Sequence, residues 1–175
     1  MMVFVVGPSR GGKTTLIGLA LPEFPNAEVL DLDAEERERF GPGSSGTGGW
    51  EGRWQRNAVL LTAAERRSRE TDVIVDVGAG SLQTPEGRRY FIRRGPQSIA
   101  VVAPWSVVLS RHSGRDPGEF RGTEYSEERL AVYRAARHQV DSSPAVQESE
   151  MMFRDALRAL LGGGPGGLAI LRQSR

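Results

Sequence analysis

The sequence predicts an α/β protein of three layers, αβα, with helices on both faces of a central, mainly parallel five-stranded sheet. Three observations carry that reading. Short apolar, β-branched runs alternate with helical stretches along most of the chain. The first run, Val3-Phe4-Val5-Val6, opens through a glycine-rich loop straight into a helix. No internal repeat or domain-sized linker interrupts the 175 residues, a length that suits one domain.

The elements follow in order. After the first strand, Thr15 to Leu21 reads as a helix stopped near Pro22. Ala27 to Leu32 is the second strand, and Ala34 to Arg39 a short helix after it. Gly41 to Gly52 is rich in Gly and Ser and reads as a mobile loop. Arg56 to Glu70 has a helical rhythm that puts Val59, Leu60 and Ala63 on one face. Asp72 to Val77 is the third strand, ending in Gly78-Ala79-Gly80. Pro85 to Arg94 reads as a helix, Ser98 to Ala103 as the fourth strand, and Ser106 as the cap of a helix reaching about His112. Ser113 to Thr123 reads as a loop. Ser126 caps a helix to about Arg137, with Glu127 and Glu128 in its favourable first turn. Val140 to Ser142 is a short last strand, and Ser143-Pro144 starts a helix that ends near Leu161. The stretch from Gly162 to Gly167 breaks that helix, leaving residues 162–175 as a glycine-rich tail.

Composition excludes several classes of function. There are no cysteines, which removes disulfide scaffolds, thiolate metal sites and cysteine nucleophiles. The two histidines, His112 and His138, are too few for a histidine-only metal site. No stretch approaches a membrane span, and Met1 to Val6 lacks the basic start of a signal peptide, so a cytoplasmic protein is expected. The net charge of +1 gives no whole-surface footprint for nucleic acid. Of the 23 basic residues, 22 are arginine and one, Lys13, is lysine. Arginine replaces lysine where surface charge suffices, but not where a compact ammonium must fit a tight site.

The neighbours of Lys13 give it a role. Gly7-Pro8-Ser9-Arg10-Gly11-Gly12-Lys13-Thr14 matches G-x-x-x-x-G-K-[ST], the phosphate-binding P-loop, in the strand–loop–helix setting it requires. Backbone N–H groups and the helix N-terminus, at Thr15 and before it, favour phosphate. Lys13 suits the β and γ oxygens, and the Thr14 hydroxyl suits Mg²⁺. In a parallel sheet the chemistry gathers at the carboxyl ends of the strands. There stand Asp31 and Asp33, on one side of an extended chain, suited to a substrate hydroxyl and to Mg²⁺, or else an acidic turn in which Asp33 caps the next helix. Asp76 ends the third strand like the acidic residue of a Walker B pattern, or as a solvated strand end. Gly78 to Gly80 allow close approach of backbone to a ligand, or form a plain turn. Trp50, Trp54 and Trp105 read as packing residues, and Arg66, Arg67 and Arg69 as a solvated face. The denser cluster Arg88, Arg89, Arg93 and Arg94 reads as a solvated face or an anion-binding patch.

From the P-loop to about Leu161, the pattern resembles shikimate kinase, a small P-loop kinase of the nucleoside monophosphate kinase fold. The resemblance implies a single kinase domain over residues 1–161, a substrate-binding segment at about 34–62 and a lid at about 113–125. It implies ATP and Mg²⁺ as cofactors, a small hydroxylated substrate, and a monomer or homodimer. Asp31-Leu32-Asp33 matches the family's Asp-x-Asp, whose second carboxylate contacts the acceptor hydroxyls as candidate base while the first helps hold Mg²⁺. Gly78-Ala79-Gly80 falls where the family lines its substrate pocket with three glycines, the middle one here being alanine. Arg111 falls at the arginine that stacks on adenine, and Arg115 or Arg121 at the lid arginine that reaches the phosphates. Arg129-x-x-x-Tyr133 resembles the helix whose arginine binds the substrate carboxylate, the alternative being a surface salt bridge to Glu128 or Glu124. Trp54-Gln55-Arg56 stands where the family has Phe-Arg, leaving Arg53 or Arg56 as the second carboxylate contact, and the glutamate that follows in the family is missing. The implied activity is ATP-dependent phosphorylation of an alcohol, with shikimate or a related hydroxy acid as acceptor. The alternatives are a different acceptor (polyol, sugar, nucleoside or antibiotic-type metabolite) or a nucleotide-dependent regulatory ATPase, a role that Asp76 favours.

Overall fold

The structure, a computed structural model, describes residues 1–41, 47–111 and 122–162. Five strands form it: β1 (Met2–Val6), β2 (Ala27–Asp31), β3 (Asp72–Asp76), β4 (Ser98–Val102) and β5 (His138–Asp141). They lie in the order β2-β3-β1-β4-β5 and every neighbouring pair is parallel. The helices are α1 (Lys13–Ala20), α2 (Leu32–Phe40), α3 (Gly49–Arg67), α4 (Pro85–Arg93), α5 (Trp105–Ser110), α6 (Glu127–Ala135) and α7 (Val146–Leu161).

Alternation along β1 explains the layers. Phe4 and Val6 point to one face and pack with Leu60, Leu61, Phe91 and Val132 from α3, α4 and α6. Val3 and Val5 point to the other and pack with Leu16, Ile17, Phe153 and Leu157 from α1 and α7. A strand buried on both faces needs an unbroken apolar run, and β1 is one. Strand order reverses around β1, so a crevice opens beyond its carboxyl end between the loops that follow β1, β3 and β4.

Three element readings are corrected. Helix α3 begins at Gly49 rather than Arg56, inside the stretch expected as loop. Trp54 packs its ring 5.6 Å from Tyr90 and 6.2 Å from Phe91, and this burial outweighs the poor helix propensity of the glycines in the first turn. The buried face of α3 is Asn57, Leu60, Leu61 and Ala64, whereas Val59 is 50% exposed. Helix α7 starts at Val146 and not at Ser143-Pro144, because the Asp141 carboxylate accepts from the Ser143 N–H and hydroxyl at 2.8 and 2.6 Å. That local turn holds Ser143 out of the cap position. Likewise α5 begins at Trp105 with Pro104 before it, so Ser106 lies inside the helix. The helix end expected near His112 and most of the loop from Ser113 to Thr123 lie outside the described residues, as does the tail beyond Gly162. Among the described residues, no helix is long and apolar enough to cross a membrane.

Candidate active site

The P-loop leaves β1 and enters α1 with Lys13 as the first helical residue and Gly12, at φ 95°, before it. Arg10 has φ 58°, the one described non-glycine residue with a positive φ, and the Gly11 N–H donates to the Pro8 carbonyl at 3.1 Å across the turn of the loop. Lys13 is buried, and its Nζ donates to the Gly7 and Pro8 carbonyls at 3.2 and 3.0 Å. Burial lowers its pKa, while the negative charges of Asp76, Glu124, Asp33 and Asp31 oppose that shift. The unique lysine is thus a buried amine held by two backbone carbonyls, with carboxylate charges near enough to oppose the effect of burial.

Thr14 follows, and its hydroxyl donates to Asp76 Oδ2 at 2.5 Å. Asp76 is buried at the end of β3 in register with Asp31 at the end of β2. Burial pushes the Asp76 carboxyl up, and Lys13 and the Thr14 hydrogen bond pull it back. The solvated-strand-end reading of Asp76 therefore fails. Asp31 Oδ1 accepts from the Asp33 and Ala34 amides at 2.9 and 3.0 Å, so Asp31, not Asp33, caps α2. Thr14, Asp76 and the second oxygen of Asp31 are hard oxygen donors of the kind Mg²⁺ takes alongside phosphate, and this set fits such an ion.

On the α1 side, a cavity of about 530 Å³ is lined by Arg10, Gly12 to Leu16, Arg111, Ser142, Val146 and Ser149. Arg111 donates from Nη2 to the Ser142 carbonyl at 2.6 Å, and the Ser142 hydroxyl donates to the Gly11 carbonyl at 2.6 Å. Arg10 in turn donates to the Arg111 carbonyl at 2.9 Å. These bonds tie the loop after β5 to the P-loop and set Arg111 on the cavity wall. The Ser149 hydroxyl is buried there with no hydrogen-bond partner, and Val146 offers an exposed apolar surface. Phosphate amides, an arginine, an apolar wall and a spare hydroxyl suit a nucleotide. Ser142 and Ser149 were not singled out from the sequence; their position after the last parallel strand was the available signal.

On the opposite side, α2 and α3 build a second polar cluster. Asp33 lies against the backbone of Gly78, where an added Cβ would fall 2.0 Å from Asp33 Oδ1. Arg53 lies against Gly80 in the same way, with its guanidinium carbon 2.4 Å from an added Cβ. At both glycines the end of a charged side chain lies against the backbone, where an added Cβ would make it shift. Arg53 Nη2 donates to Asp33 Oδ1 at 2.5 Å, and its Nε lies 3.2 Å from Glu36 Oε2. Glu36 is 1% exposed and also accepts from Arg56 Nε at 2.9 Å. Arg56 Nη1 reaches the Thr47 carbonyl at 3.0 Å. Asn57, fully buried, donates to the Ser81 hydroxyl at 2.8 Å and fastens α3 to the turn Ala79–Leu82 that contains Ala79. Glu36 and Asn57 were missed because neither carries a local motif.

Arg129, expected either in the pocket or in a surface salt bridge, is 2% exposed at the start of α6. Its Nη1 lies 2.7 Å from Glu124 Oε1, so the Glu124 pairing is present but buried. Glu124 Oε2 accepts from the P-loop amide of Ser9 at 3.0 Å. A continuous polar path thus runs from the P-loop through Glu124 to Arg129. Tyr133, one turn on, is also buried, and its hydroxyl pKa is pushed up by burial. Arg115 and Arg121 lie outside the described residues. Of the arginines on and just after α4, Arg88 donates to the Leu82 and Gln83 carbonyls, Arg89 pairs with Glu86 at the surface, and Arg94 pairs with Glu65.

The strand order and the placement of the P-loop can be set beside solved structures. A shikimate kinase from Acinetobacter baumannii in complex with shikimate superposes with a TM-score of 0.67 at 20% identity, covering 92% of this chain and 93% of that one. The fold is that of the shikimate kinases. The shikimate kinase from Aquifex aeolicus agrees, with a TM-score of 0.65 at 24% identity over 95% of this chain and all (100%) of that one. A tunicamycin resistance protein from Deinococcus radiodurans has the same fold, with a TM-score of 0.61 at 19% identity over 92% and 95% of the two chains. By sequence alone, no family model and no curated protein matches. The shikimate kinase fold therefore accounts for the all-parallel five-stranded sheet and the helices that flank it.

Proposed function

We propose that the chain is an ATP-dependent phosphotransferase that moves a γ-phosphoryl group to a hydroxyl of a small polar metabolite. The observation that carries the reading is Asp33. Its carboxylate is pinned over Gly78 by Arg53, at the carboxyl edge of the sheet, where its charge is among those that oppose the burial-driven lowering of the Lys13 pKa. A carboxylate facing a P-loop lysine is where an acceptor hydroxyl must stand for in-line transfer.

In this reading ATP occupies the cavity beside Arg111, Ser142 and Ser149, and Lys13 exchanges the Gly7 and Pro8 carbonyls for phosphate oxygens. Mg²⁺, held by Thr14, Asp76 and Asp31, supplies charge neutralisation on the phosphates. Asp33 accepts the acceptor O–H and takes its proton. The acceptor oxygen bonds to the γ-phosphorus as the bond to the bridging oxygen breaks, and ADP leaves. Arg115 or Arg121 serves as the lid arginine. The active unit spans residues 1–161 as a monomer or homodimer in the cytoplasm, where ATP is supplied. Shikimate or a related hydroxy acid is the acceptor that the sequence resemblance favours; polyols, sugars, nucleosides and antibiotic-type metabolites are the other class.

The test is an ATP-consumption screen over hydroxylated acids, sugars and nucleosides, with product mass measured. Gain of one phosphoryl group on an acceptor supports the reading. ATP hydrolysis indifferent to every acceptor would favour a regulatory ATPase.

A further inference from the structure

The pattern G-x-x-x-x-G-K-[ST] leaves open the residues between Gly7 and Gly12. One of them here is Arg10, whose backbone stands at φ 58°. That region is costly for a residue with a Cβ, which crowds the following carbonyl oxygen, and glycine meets no such cost. Every other described residue with a positive φ is glycine: Gly7, Gly12, Gly41, Gly48 and Gly49. Arg10 alone carries a side chain in that conformation, and it does so inside the phosphate-binding loop. A costly backbone position that keeps a long side chain calls for a use of that side chain.

The use within the fold is slight. The Arg10 side chain is exposed, and its Nη1 donates to the Arg111 carbonyl at 2.9 Å. One solvent-exposed hydrogen bond is weak compensation. Among the described residues, neither Arg10 nor Arg111 is paired with a carboxylate; Arg111 donates to the Ser142 carbonyl and hydroxyl. Both arginines line the cavity beside the P-loop, together with Lys13 and Thr14. Arg111 Nη1 lies 3.8 Å from where a Cβ on Gly12 would fall, so its guanidinium stands beside the loop backbone. The described lining of this cavity thus carries three basic side chains and no acidic one. Guanidiniums left without a carboxylate of their own suit an anion that comes from outside the chain. A phosphate chain is the anion a P-loop takes, and it keeps net negative charge even with Mg²⁺ bound.

We propose that the Arg10 side chain, and not the loop backbone alone, binds the phosphate chain of the nucleotide, its guanidinium leaving the Arg111 carbonyl for phosphate oxygens. This places a phosphate-binding arginine inside the P-loop itself, apart from Arg115 and Arg121. The proposal rests on the nucleotide-binding part of the kinase reading above. Its test measures Kd by calorimetry for two probes, ATP and inorganic tripolyphosphate, each with Mg²⁺, on the full chain and on Arg10→Gly and Arg10→Asn. Glycine and asparagine both tolerate a positive φ, so the melting temperatures should stay within about 2–4 °C of wild type. Both probes should bind each variant about tenfold to hundredfold more weakly, the loss expected for a hydrogen bond to a charged group. Weaker ATP binding with tripolyphosphate unchanged would mean that Arg10 acts through Arg111 or the base, and it overturns the proposal. So does a melt far below wild type in both variants, which would assign Arg10 to the fold. Unchanged affinity for both probes overturns the proposal and leaves the kinase reading intact. A wild-type chain that binds neither probe overturns both.

Discussion

On the α1 side of the crevice, the Ser149 hydroxyl is buried without a partner, and Lys13 rests on two backbone carbonyls it can leave. On the α2–α3 side, Arg53 and Arg56 pair with Asp33 and Glu36, while on α6 the buried Arg129 lies beside Glu124 with Nη1 and Nη2 lacking a hydrogen-bond partner. The first half is prepared for a ligand that brings negative charge. The second holds its charges in ion pairs between α2 and α3.

The largest effect that could break this contrast is at Lys13. Lys13→Met should lower phosphoryl transfer by about 10²–10³-fold, the typical loss for one preorganised donor on a developing charge. Lys13→Arg should fail as well, because the planar fork does not fit where the ammonium is buried. Steady-state rates of both variants check this, and full activity of Lys13→Arg would remove the argument from the single lysine.

Next comes Arg129→Ala. Removing this guanidinium strands Glu124 as a buried charge and should cost about 3–5 kcal/mol in a denaturant melt. The double variant with Glu124→Ala should recover part of that loss. A free, substrate-facing arginine would instead leave stability near wild type.

Gly78→Ala sharpens the comparison from the backbone side. The added Cβ meets the Asp33 carboxylate, which must move, so transfer should fall while ATP affinity, set on the other side of the crevice, stays. Because the group displaced is the end of a flexible, partly exposed side chain, stability should change little.

The smallest expected effect is a pH dependence. Burial raises the Asp76 pKa, so between the ordinary aspartate value and the raised one the folded chain binds more protons than the unfolded chain. Stability of the nucleotide-free protein, in chelator, should therefore fall as pH rises through that window on account of this group. Asp76→Asn should flatten that part of the stability–pH curve, as read by thermal melts.

The two halves were also unequally legible in the sequence. The P-loop is eight consecutive residues whose order carries its geometry, and the strands that frame it are unbroken apolar runs. Sheet, loop and the Asp31 and Asp76 positions could be read because they sit at predictable strand ends, whereas Asp33 lies in the first turn of α2 and not on the extended chain expected. The acceptor half depends on pairs distant in sequence, Arg53 with Glu36 and Asn57 with Ser81, which only the fold brings together. The sequence offers Arg129 either a pocket or a surface salt bridge, and its burial beside Glu124 removes the surface reading, because burial is a property of the packed helix and not of its sequence. The same reason hid the early start of α3, where Trp54 packing overrides glycine.

The most direct measurement is a pair of values on one variant, Asp33→Asn: turnover with the acceptor and the Kd for ATP. Asp33 touches the acceptor half through Arg53 and Gly78, while the nucleotide cavity is walled by other residues. The account predicts loss of transfer with ATP affinity unchanged. Wild-type turnover in Asp33→Asn would contradict it.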